Sequence, residues 1–133
     1  MACFLVPTGE AIVATVVKKV VSDKEDSQGI DVDNTGLTAD GKFTWKKKLS
    51  WLTSMLWGGA ILLCLEHIWH GEVVFYPPFL TAMSDPTDMA MMFQEMSTVG
   101  VGMALLVSAI WVVMVLVADH VSIIKKTLAG TEA

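Results

Sequence analysis

The densest set of chemically able side chains in this 133-residue chain is Glu66-His67-Ile68-Trp69-His70-Gly71-Glu72. On a helix His67 and His70 stand three apart and Glu66 and His70 four apart, so one face offers two imidazoles and a carboxylate. Glu95 reaches a similar depth if the two apolar stretches described below run antiparallel, and Asp85 and Asp88 approach from the segment between them. Imidazole and carboxylate together suit a transition metal whose identity stays open. The same four groups, Glu66, His67, His70 and Glu95, suit a proton path, because histidine titrates near neutrality. The plainer reading is a membrane boundary, where water satisfies polar groups. The motif is shorter than His-Glu-x-x-His and reverses its first two residues, so zinc-protease chemistry does not follow.

Other groups carry less. His120 lies near the opposite end of its apolar stretch from His67 and His70, roughly 20 Å away along a bilayer normal. One chain therefore cannot clamp haem between them, and haem or a metal would have to be shared with a partner; no cofactor is expected. Met89, Met92 and Met96 share a helical face, which suits copper(I) in principle and core packing more simply. Asp119 stands where it can pair with Lys48, Lys125 or Lys126. Without a phosphate loop, nucleophile elbow or Cys-x-x-Cys pair, an enzymatic role stays open but is not expected.

The elements that position these groups are apolar. Residues 49–65 and 96–118 carry no charge, and lysines flank them: Lys46, Lys47 and Lys48 before the first, Lys125 and Lys126 after the second. The first is near the lower limit of about 17–25 residues for a crossing helix. Trp45, Trp51 and Trp69 resemble an aromatic belt. Ser54 and Gly58 on the first stretch, and Gly100, Ala104 and Ser108 on the second, are small residues four apart that permit close helix packing, against each other or in a dimer. Between the stretches, Gly71 suits a helix C-cap, Pro77-Pro78 breaks regular structure, and Asp85-Pro86 starts a short outer helix running to about Ser97.

Toward the N-terminus, residues 7–21 predict a helix whose Ile12, Val13, Val16, Val17, Val20 and Val21 recur at helical spacing. It fits an interfacial amphipathic helix. The alternative is a short third span over residues 4–17, in which Glu10 would cost about 2.5–3.5 kcal/mol unless paired. Residues 22–42 read as a polar linker. Asp31-Val32-Asp33-Asn34-Thr35-Gly36 resembles the start of an EF-hand loop, but Lys42 falls where that loop requires glutamate.

Hydrophobic residues make up 53% of the chain and the net charge is −5, yet all nine basic residues are lysine. Without arginine, the usual bidentate reader of phosphates and bases, nucleic-acid binding is not expected. Cys3 and Cys64 are too separate for a disulfide framework, and the N-terminus lacks the positive region of a signal peptide. Lysine is absent from residues 49–124, so positive-inside reasoning places both termini in the cytoplasm.

The segment Leu49-Ser50-Trp51-Leu52-Thr53-Ser54-Met55-Leu56-Trp57-Gly58-Gly59, with Glu66-His67-Ile68-Trp69-His70-Gly71-Glu72, resembles a group of short bacterial two-span membrane proteins that carries no assigned activity. The likeness covers roughly residues 49–124 and implies a bacterial cytoplasmic membrane; it supplies no cofactor, substrate or site residue. The expected fold is all-α: an integral membrane hairpin of two transmembrane helices (49–124, outer loop 71–97) with an N-terminal amphipathic helix (1–21), a polar linker (22–48), a short outer interfacial helix and a cytoplasmic tail (125–133). The expected role is a non-enzymatic accessory or small subunit of a membrane complex, in contact with lipid and either homo-oligomeric or joined to larger partners. The alternative is a component of a proton or metal transport or electron-transfer system built on the Glu/His cluster.

Overall fold

The computed structural model describes residues 2–31 and 34–131. Val32 and Asp33 of the EF-hand-like motif lie outside the described residues. Among the described residues the fold is all-α, 77% helical with no strand, and two of the helices are long and apolar enough to cross a membrane. The helices are α1 (Leu5–Ser27), α2 (Trp45–Trp69), α3 (Pro86–Glu95) and α4 (Val101–Thr131). A π-turn, Met96–Gly100, joins α3 to α4 in one 46-residue helical run, Pro86–Thr131.

The helix ends show why the chain divides there. Thr44 Oγ1 accepts from Lys47 N at 3.3 Å, and the Glu25 carboxylate accepts from Trp45 N and Lys46 N at 2.9 and 3.1 Å. Three lysines in a first turn oppose the helix dipole, and Glu25 supplies the missing negative charge. The start of α2 therefore lies four residues before the apolar run. At 25 residues it is about 37 Å long, enough for a bilayer core of about 30 Å. Gly71, with φ of 73°, closes α2: Glu72 N donates to His67 O and Gly71 N to Ile68 O, both at 3.0 Å. That is a Schellman cap, as the glycine implied. Asp85 caps α3 as expected, accepting from Thr87 N at 2.7 Å, with Pro86 in the first turn.

Two further boundaries differ from the sequence reading. The first helix, expected over residues 7–21, runs on through the charged Ser22–Ser27 stretch, because Glu25 is used at α2 and Ser27 Oγ bonds back to Asp23 O. The tail expected from residue 125 stays helical to Thr131. Within the supposed linker, Leu37 and Phe43 form an isolated antiparallel bridge.

The chain divides into two compact units, residues 2–13 with 54–107 and residues 14–53 with 108–131. In the first, Ala2, Phe4, Ala82 and Met92 are buried together, with Leu63, Cys64, Val73, Leu80, Met89 and Met96 packed on them. The shared methionine face is thus core filling. In the second, Lys48 Nζ meets Asp119 Oδ2 at 2.7 Å, with only 8% and 17% of the two side chains exposed. Asp119 Oδ1 accepts from Phe43 N at 3.1 Å, and Trp111 Nε1 donates to Lys48 O at 2.8 Å. Of the three lysines the sequence offered Asp119, the fold uses Lys48.

Removing one partner of a buried pair leaves the other charge stranded, at a cost of about 3–5 kcal/mol. Asp119→Leu or Lys48→Met alone should destabilise by that order in denaturant unfolding. The double variant should recover most of the loss.

Candidate functional site

Of the four clustered candidates, the structure buries only His67. It sits two residues from the end of α2, on the helix that also buries Leu56 and Ala60. Glu66 and His70 flank it on the helix and are exposed, and Glu95 is half-buried on α3. Besides the backbone of its own helix, His67 meets Cys3, Phe4 and Glu72. Cys3 Sγ lies 3.4 Å from Nε2, the Phe4 ring stands edge-on at 5.1 Å, and Glu72 Oε2 is 3.6 Å from Nε2.

Each partner has a local cause. The Schellman cap folds the chain back so that Glu72 returns over His67, five residues away. Cys3 and Phe4 belong to the turn before α1, where Leu5 N donates to Ala2 O and Thr8 N to Phe4 O. That turn is seated on Gly100, the last residue of the π-turn: a Cβ there would lie 3.0 Å from Cys3 O and 2.9 Å from Val6 Cγ2. Gly100 thus packs against the start of α1. Ala104 is buried and Ser108 half-buried, whereas Ser54 and Gly58 face outward, with open space where a Gly58 Cβ would stand.

Hydrogen bonding assigns the tautomer. His67 Nδ1 lies 2.7 Å from Leu63 O, which can only accept, so Nδ1 carries a proton. When the ring is neutral, Nε2 is bare and takes the Cys3 S–H. When the ring is charged, Nε2–H faces the sulfur and the Glu72 carboxylate. The arrangement can hold a proton between sulfur and nitrogen. It is not built as a nucleophilic triad, which needs the carboxylate on the ring nitrogen opposite the nucleophile; here Cys3 and Glu72 share Nε2. Among the described residues no group of three or more His, Cys, Asp or Glu side chains is placed to hold a metal ion. Both cysteines are free thiols, Cys3 buried and Cys64 half-buried.

The sequence reading named His67 as a candidate and quoted Glu72 in the same motif, but placed neither Glu72 nor Cys3 beside it. The His67–Glu72 spacing across a glycine cap was a usable signal. The contact with Cys3 spans 64 residues, and no local pattern announces it.

Two outcomes follow. Imidazole nitrogen NMR shifts should show neutral His67 protonated at Nδ1. Gly100→Val should push the first turn away, at about 1–3 kcal/mol of overpacking, and raise maleimide labelling of Cys3; Gly102→Ala, at a glycine with open space around it, should leave labelling unchanged. No protein-family model matches the chain, and neither a curated protein nor a solved structure shows significant similarity to it.

Proposed function

We propose that the chain is a small multi-pass membrane protein acting as a non-enzymatic accessory or small subunit of a larger membrane complex. The observation that carries this reading is where the aliphatic surface lies. In the run Pro86–Thr131, mean hydropathy peaks at 2.7 while only 6% of that window is buried. Leu105, Leu106, Val113, Leu116 and Val117 are each more than half exposed. Burying such a side chain is worth about 1.5–3 kcal/mol, so exposing many to water forfeits an amount comparable with a whole domain's stability of about 5–15 kcal/mol. Lipid removes that cost.

The polar groups support the same reading by pointing inward. Lys48 and Asp119 pair in the interior, and Lys18 turns to Ser50 Oγ at 3.3 Å. On α1 the packed residues include Pro7, Ala11 and Ala14, while Ile12, Val13, Val16, Val17 and Val20 are exposed. An aliphatic face turned outward from polar contacts fits lipid or a partner helix. Lysine placement favours a hairpin of two crossings with cytoplasmic termini, in a bacterial cytoplasmic membrane. Phe75, Tyr76 and Phe79, exposed beside the Val73–Leu80 bridge, suit the outer interface. The outward Ser54 and Gly58 offer a place for a neighbouring helix.

What supports the accessory role is the surface offered to neighbours: the exposed aliphatic positions of α1 and α4 and the outward Ser54 and Gly58. After expression in a bacterium, the chain should stay in the pellet through an alkaline carbonate wash, and a cysteine placed at Thr87 should label from outside intact cells. In mild detergent it should run above monomer mass or with a bound protein. A partner-free monomer would remove the accessory role and leave the membrane assignment standing.

A further inference from the structure

The second unit holds an open apolar groove of about 1360 Å³ between the segment before α2 and the outer face of α4. Ligand pockets for small metabolites run to about 300–1,000 Å³, so this groove suits a longer guest. Its floor is Ile110, Val113, Val117 and Val121, which lie on successive turns of one helical face and are 44% to 59% exposed. From 110 to 121 the helix rises about 16 Å, close to half of a hydrocarbon core of about 30 Å. One turn beyond Val121 the floor ends at Lys125 and Lys126.

The facing wall is Leu37 and Phe43. It is tied to α4 at three points: Ser122 Oγ donates to Gly41 O at 2.6 Å, Phe43 N donates to Asp119 Oδ1 at 3.1 Å, and Lys126 Nζ donates to Ala39 O. Gly41, with φ of 79°, allows this approach; a Cβ there would stand 3.1 Å from Lys126 Cδ. Among the described residues, the lining at the polar end holds two lysines, Lys125 and Lys126, and one acid, Asp31; nearby Asp119 is paired with Lys48.

We infer that this groove holds one anionic phospholipid, an acyl chain along the α4 floor and the phosphate at Lys125 and Lys126. The inference rests on the membrane reading above. Three features select this occupant over a partner peptide: a floor that is apolar from Ile110 to Val121, a length matched to one leaflet, and lysines only where that apolar floor ends.

The test is native mass spectrometry of the full chain released from phosphatidylcholine bilayers containing a minor share of phosphatidylglycerol. Wild type should retain one phosphatidylglycerol in preference to phosphatidylcholine. A lysine near the surface is worth about five-fold in such a preference. Lys125→Gln should lose about that factor, Lys125→Arg should keep the preference, and Val117→Trp, which fills the floor, should lower retention of both lipids. Equal retention of the two lipids by wild type would overturn the proposal, as would an unchanged preference in Lys125→Gln. A photo-crosslinker at Val117 that captures polypeptide in place of lipid would overturn it too. Failure of the chain to enter the bilayer at all would instead overturn the membrane reading.

Discussion

A buried lysine and a half-buried aspartate set the terms for the second unit. Taking either charge out of water is costly, and mutual attraction offsets that cost only when geometry is good and the remaining polar atoms find partners. Both conditions are met: Lys48 and Asp119 meet at 2.7 Å, Phe43 N takes the second carboxylate oxygen, and Trp111 Nε1 reaches Lys48 O. Lys48 Nζ also lies 5.2 Å from the Trp45 ring centre, a favourable cation–π placement. One pair therefore joins the first turn of α2, the second half of α4 and the short segment between α1 and α2.

From that constraint the distribution of surface follows. Polar partners are consumed inside, so the outward positions of α4 from Leu105 to Val117 are free to be aliphatic, and they are. The segment before α2, which by composition has little to fold around, gains order from Asp119, Ser122 and Lys126 and becomes the wall of a groove. In the first unit a different device is at work. A glycine-capped helix end and a glycine in a π-turn together bring a thiol and a carboxylate to one imidazole nitrogen.

Much of this was legible from local chemistry. Long charge-free stretches mark α2 and α4, Asp85-Pro86 marks the start of α3, and Gly71 marks the end of α2, because each signal lies within a few residues of what it determines. Asp119 was visible as an ion-pair partner, though its choice among three lysines depends on which helices meet. What stayed hidden is long-range. The continuation of α1 to Ser27 depends on Glu25 finding backbone N–H groups twenty residues later. The Cys3–His67 contact needs the first turn of the chain to settle beside Gly100. The Glu66/His67/His70 grouping was read by helical spacing alone, and spacing does not say which of three neighbours turns inward.

The π-turn at Met96–Gly100 has an evolutionary corollary. Each residue added to or removed from an ordinary helix turns everything beyond it by about 100°, which would carry Met92 or Ala104 off its buried face. A wide turn already accommodates one extra residue, so a chain shorter by one between Ser97 and Val99 can revert to regular winding with both faces kept. In related sequences, single-residue gaps within this 46-residue run should gather here, and lineages with and without the gap should share the buried positions on either side.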